Sequence, residues 1–433
     1  MAVTGKPGRH RLVRGSPLRA MAGRLSWGLG DQAVSSLSNF FVGVVVARSL
    51  GAAAFGVFTL AWVTYGVVLG LSRGLATDPL AVRFSGVATD LWRGAVARST
   101  ATALLVGTGT GVVSALAGIA IGGSVGGAFV ALGVILPGLM LQDSWRFAFF
   151  ASGQGHKAFV NDLVWTAALV PALVLAVLHG SVVGFLLAWG LSAAVAGLYG
   201  YWQTRMTPTW TGARAWVREH RDLGSRFLAE NVLVAGSGQL RMYGLGAIGL
   251  LADVGAVRGS QLLLGPFMAV LIGLSLVTVS EAARVVRERP HRLRLFALLL
   301  GGGQAAAAMA WGVALMVLLP ESVGRYLLGD VWESAAALIL PATLAIAAAS
   351  FTTGSSSALR ALGAAGRGLR AEVVTFAGYV GGGLIGAALG GALGSSWGAV
   401  VGSVLGAAAR WLELEACLRE RDPAVTSEEM RTT

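Results

Sequence analysis

The sequence predicts an all-α polytopic membrane protein of about twelve transmembrane helices in two six-helix lobes, and three observations carry the prediction. Apolar residues fill 55% of the 433 positions and charged residues only 12%, a balance no soluble core needs. At about 20 residues per crossing, the apolar runs supply roughly a dozen spanning helices. Glycine holds 63 positions, and small residues let helix backbones approach closely in lipid. A mean hydropathy of +0.71 points the same way. A soluble enzyme, a disulfide scaffold and a disordered chain are set aside on these grounds. The single cysteine, Cys417, provides neither a disulfide nor a thiolate metal site.

Taken in order, apolar runs bounded by charge or by glycine and proline fall at 27 to 47, 55 to 76, 96 to 121, 127 to 149, 158 to 178 and 181 to 202. Six more follow at 227 to 250, 258 to 281, 295 to 319, 334 to 357, 371 to 393 and 397 to 417. The first run follows a basic tail, 1 to 26, and carries Asp31 and Gln32 without a small-residue cleavage pattern, so it reads as a retained helix and not a cleaved leader. In the second connection, Asp78 before Pro79 reads as a turn. The GTGTG stretch at 107 to 111 lies inside the third run with no strand before it, which excludes a phosphate loop. The gaps at 179 to 180 and 394 to 396 are short enough to demand tight helical hairpins. Along the last two runs, Gly378, Gly382, Gly386 and Gly390, then Gly398, Gly402 and Gly406, recur every fourth residue and read as a packing seam within the second lobe.

The most polar connection, 203 to 226, separates an N-lobe at 27 to 202 from a C-lobe at 227 to 417, with a second tail at 418 to 433. Six spans per half put the halves in the same orientation, related by an axis along the membrane normal. A shift of 199 residues superposes Asp31 on Glu230, Gln32 on Asn231 and Ser38 on Ser237.

The net charge of +12 and pI near 11.0 are explained by where the cations lie. Of the 33 lysines and arginines, 29 fall in the tails and in alternate connections, against Arg48, Arg258 and Arg325 on the other side and Arg241 within a span. The positive-inside rule then places both termini in the cytoplasm of a cell-membrane protein. Nucleic acid is not needed as a partner to account for the basic pI, whereas anionic membrane lipids are natural neighbours of these arginines. The five histidines never pair at ligand spacing, and no cofactor or metal site is expected.

The stretch from Trp27 to Gly86 contains ARSLG at Ala47 to Gly51 and an xxFG turn at Phe55 and Gly56 leading into the second helix. With LPGLMLQDSWRFAFFASGQ at Leu136 to Gln154 and LLGDVWESAAALILP at Leu327 to Pro341, it resembles the polysaccharide (O-antigen, Wzx-like) flippases of the MATE-like (MOP) exporter superfamily. The resemblance implies two lobes around a central cavity, alternating access and export of a lipid-linked oligosaccharide. No constellation of acid, base and nucleophile supports an enzyme.

Polar groups inside spans are expensive and are therefore candidates for function. Asp31, Ser35, Ser38 and Asn39 share one face of the first span. The seventh span offers Glu230, Ser237, Gln239 and Arg241. Arg241, roughly 13 Å below the outer end at about 1.5 Å per residue, either binds a pyrophosphate or acidic sugar or pairs with Glu230 or a carbonyl as structural glue. Arg241, Gln239, Asn39 and Glu230 are thus the cavity candidates. Asp143 and Arg146, at i and i+3, together with Gln142, Asn161 and Asp162, read as a salt-bridge cluster that closes the inner end of the N-lobe and doubles as a gate if its pairs exchange. Asp31 is either a solvated helix-start acid or a proton or sodium site. The latter follows the resemblance, because the multidrug branch of that superfamily couples cations through a first-helix carboxylate. A cation-coupled exporter of small molecules is accordingly the second reading.

Overall fold

The structure, a computed structural model, describes residues 17–84 and 89–421, and its regular elements among these residues are all helical. Helix α1 (Pro17–Ser49) starts with proline, whose missing N–H costs nothing in a first turn. It hands over at Leu50 and Gly51 to α2 (Ala52–Ser72). The turn expected at Asp78-Pro79 does not occur. Instead α2 runs through a π-helical turn, Arg73–Thr77, into α3 (Asp78–Phe84). Proline at 79 cannot donate to the helical ladder, and a local π-bulge absorbs such a break without ending the helix.

Helices α4 (Thr89–Ile121) and α5 (Gly123–Ala151) form the tightest pair in this half. A methyl group added at Gly111 would come within 2.5 Å of the Gly133 carbonyl oxygen, and one added at Gly118 within 2.5 Å of that of Gly126. The GTGTG stretch therefore serves close backbone contact. Helices α6 (Gly155–His179) and α7 (Val182–Thr204) make the expected hairpin at Gly180 and Ser181, where the Ser181 hydroxyl accepts from the Gly184 N–H at 3.1 Å.

The polar connection after α7 holds a short helix, α8 (Trp210–Glu219). Trp216 is fully buried and its indole N–H donates to the Leu75 carbonyl at 3.2 Å, which fastens α8 under the π-turn. Arg98 to Glu219 at 2.9 Å and Arg83 to Asp222 at 2.6 Å add ion pairs at the surface.

The second half comprises α9 (Arg221–Ile248), α10 (Leu251–Glu288), α11 (Leu293–Leu318), the short α12 (Glu321–Leu328) and α13 (Trp332–Ala336), α14 (Ile339–Ala361) and α15 (Ala365–Glu420). Helix α15 is two arms. Gly391 has φ 56° and ψ −135°, a conformation that side chains with a Cβ rarely adopt, and the chain reverses there. The arms then lie backbone to backbone, with Gly382 facing Gly398 and Gly386 facing Gly394. The hairpin turn is thus at Gly390 and Gly391 and not at 394 to 396, which leaves Ser395 and Ser396 inside the returning arm.

Eight helices among the described residues are long and apolar enough to cross a membrane, α15 with its two arms among them. Helices α1, α9 and α10 coincide with the expected first, seventh and eighth spans. Together they make a multi-pass membrane protein. The two halves meet mainly along α2, which packs against both α9 and α10. At their crossing a methyl group on Gly56 would sit 1.8 Å from the Leu251 carbonyl oxygen, so only glycine permits this approach.

Candidate functional site

Two polar regions lie on either side of α2. The first begins with Asp31 on α1, which is completely buried and so is not a solvated helix-start acid. Its Oδ2 accepts from Arg146 of α5, through Nε at 2.7 Å and through Nη2. The Arg146 Nε also stands 3.6 Å from the carboxylate of Asp162 on α6. The Gln142 amide donates to Asp162 at 2.8 Å, and the Asn161 amide donates to the Ala196 carbonyl at 2.8 Å. The cluster expected from sequence is present, but one of its pairs is different. Asp143 does not face Arg146. It accepts two hydrogen bonds from Arg73, at 2.6 and 3.1 Å. Residues three apart on a helix diverge by about 60°, and here Asp143 turns toward α2 while Arg146 turns toward α1 and α6. Three carboxylates thus share two guanidinium groups across four helices.

Part of this network, Arg73, Gln142, Asp143 and Arg146, borders a chamber of about 380 Å³ also lined by Gln32, Ser35, Asn39, Trp62, Tyr65, Trp165 and, from α9 of the other half, Gln239. Of the cavity candidates, Asn39 and Gln239 belong here. Ser38 turns instead to α6, where its hydroxyl lies 2.8 Å from that of Thr166. The side chain of Glu230 lies outside the described residues.

Arg241 does not reach this chamber. It is two residues from Gln239, and two residues on a helix point to nearly opposite sides. It lines a second cavity of about 380 Å³, built wholly from the second half, with Arg258, Ser260, Gln261, Met268, Ile346, Tyr379 and Ser396. Its Nη1 donates to the Ser395 carbonyl at 3.3 Å and hydroxyl at 3.4 Å, and the Tyr379 ring lies 5.0 Å from its guanidinium carbon. Its Nε has no partner, although the residue is only 4% exposed. Glu230 stands eleven residues earlier on α9, about 16 Å along the axis at ~1.5 Å per residue.

Arg258 was expected in an outer connection. Because α10 begins at Leu251, Arg258 sits two turns inside it. Arg241 precedes the α9 end by seven residues and Arg258 follows the α10 start by seven. On two antiparallel neighbours both cations therefore stand at the same depth, about 10 Å from the turn at ~1.5 Å per residue. Neither has a carboxylate partner among the described residues. Arg73, Arg258, Tyr379 and Ser395 are the residues that sequence reasoning missed. The first two look like positive-inside and loop charges until helix bounds are known, and Tyr379 and Ser395 carry no charge to draw attention. No group of three or more potential metal ligands occurs among the described residues.

No family model matches the sequence, and no curated protein does. Solved structures do match. An inward-facing multidrug resistance MATE family transporter of the MOP superfamily is 14% identical, with a TM-score of 0.72 over 89% of this chain and 96% of that one. The lipid II flippase MurJ in an inward closed conformation is 9% identical, with a TM-score of 0.69 over 92% and 88%. A MOP superfamily transporter from Pyrococcus furiosus Vc1, described as having a binding pocket of reversed polarity, is 16% identical, with a TM-score of 0.55 over 94% and 96%. The fold is therefore that of the MATE-like transporters.

Proposed function

We propose that the protein is a transporter that flips or exports a lipid-linked oligosaccharide across the cell membrane by alternating access between an N-lobe at 27 to 202 and a C-lobe at 227 to 417, with both termini cytoplasmic. The observation that carries this reading is the cavity holding Arg241 and Arg258 without a carboxylate. A cation in a low-dielectric site needs an opposite charge, and a pyrophosphate or acidic sugar supplies one. The neighbouring chamber adds amides from Gln32, Asn39, Gln142 and Gln239, donors and acceptors of the kind that sugar hydroxyls require.

The test is leaflet translocation of a fluorescent polyprenyl-pyrophosphate-linked saccharide in proteoliposomes. Wild-type protein is expected to move the label, and Arg241→Gln to reduce movement at least tenfold. Equal movement by the variant would sink the assignment of Arg241.

A second reading, cation-coupled export of a small molecule, is favoured by one observation: Asp31 and Asp162 share the single guanidinium of Arg146. Such a site binds H+ or Na+ readily, because a second positive charge completes it. Efflux of a dye driven by a proton or sodium gradient, and lost in Asp31→Asn, would favour it over the flippase.

A further inference from the structure

Trp62 of α2 belongs to the first half, yet its ring faces the charge of the second. The Trp189 indole stacks on it with centroids 4.6 Å apart, and Tyr65 meets Trp189 edge-on at 4.8 Å. Over the Trp62 ring, 5.5 Å from its centroid, stands the guanidinium carbon of Arg258. No hydrogen bond or carboxylate within the described residues holds Arg258, so the indole is the polarisable group on which its position depends. Trp62 also lines the chamber of the first half, while Arg258 lines the arginine cavity of the second. One contact therefore joins the two cavities across the seam between the halves.

We propose that Trp62 is a positioning residue for the anion cavity: its ring holds Arg258 beside Arg241, so that the affinity of the second half for a phosphate-bearing ligand is set by a residue of the first half. This deepens the flippase reading and rests on its assignment of an anionic group to the Arg241 cavity. The consequence is mechanical. Separation of α2 from α10 takes the ring from Arg258, leaves Arg241 as the only positioned cation, and weakens the grip on the anion as the halves rearrange. Binding and movement are thereby linked through one aromatic face.

The experiment is calorimetric titration of the purified full-length protein in detergent with farnesyl diphosphate, a soluble probe carrying a pyrophosphate. Wild type is compared with Trp62→Leu, Trp62→Tyr, Trp62→Phe and Arg258→Gln, and with Trp62→Leu and Trp62→Phe each combined with Arg258→Gln. Trp62→Leu is expected to weaken binding about tenfold, the equivalent of about 1.4 kcal/mol, with Tyr and Phe between it and wild type because the indole is the strongest cation–π partner. In the Arg258→Gln background the Trp62 changes should have no further effect. If Trp62→Leu fails to fold after losing its stack on Trp189, the Tyr and Phe variants keep an aromatic ring and give the same ordering. Losses at Trp62 and Arg258 that simply add, or affinities independent of the ring at 62, would overturn the positioning role. Failure of the wild type to bind the probe would overturn the anionic-substrate reading itself, and this inference with it.

Discussion

The two polar regions flanking α2 solve the same problem in opposite ways. In the first half, Asp31, Asp143 and Asp162 hold Arg73 and Arg146, and Asp31 and Asp162 are almost wholly buried. In the second half, Arg241 and Arg258 have one serine, two aromatic rings and no acid among the described residues. A charge paired within the protein contributes to cohesion, because removing either partner strands the other in a poor solvent. A buried charge left without a partner is a liability in the empty protein and a receptor for an opposite charge on something else. The same residue type is therefore paired with acids in one place and, in our proposal, is a binding group in the other, and only the neighbours distinguish them.

The sharpest way to break the contrast is Arg146→Ala, which strands Asp31 and Asp162 and should cost about 3 to 5 kcal/mol, visible as loss of the monodisperse peak after mild heating in detergent. Survival of that variant with unchanged thermal stability would remove the structural half of the comparison. Gly391→Ala, which forces a Cβ into a left-handed residue and toward the Asp253 carboxylate, should cost about 1 to 3 kcal/mol in the same assay. Arg73→Gln leaves Asp143 a neutral partner; with Arg73 about a third exposed, a loss of about 1 to 2 kcal/mol is expected. Arg241→Gln should have a smaller effect on stability than these three, within about 1 kcal/mol or slightly stabilising, while transport falls at least tenfold. A variant that unfolds there would make Arg241 structural, like Arg146. At the surface, Arg284→Ala removes only an exposed pair with Glu288 on its own helix and should leave the thermal transition in the same assay unchanged, because solvent screens such a pair.

Much of the fold follows from apolar runs and the distribution of arginine. The hairpin at Gly180, the glycine seam between the last two runs and the polar first-half cluster all appear where local sequence places them. The pairing inside that cluster did not, because Asp143 and Arg146 are neighbours in sequence whose directions differ by about 60°. Sequence spacing also put Arg73 and Arg258 in loops, since a helix continuing through a π-turn, or starting seven residues early, leaves no periodic mark in an apolar stretch. The turn of the last hairpin was displaced to Gly390 and Gly391 because glycines recur on both sides of it, and only backbone geometry selects which one reverses the chain.

Composition and charge order alone determined that this chain is a helical membrane protein, because burying so many apolar residues in lipid while arginine clusters in alternate connections admits few other arrangements. The tertiary structure decided which charges meet. Contact between α2 and α10 is made by residues about two hundred positions apart, and whether an arginine finds a carboxylate, an indole or an open cavity depends on the rotation and depth of helices that local sequence does not encode.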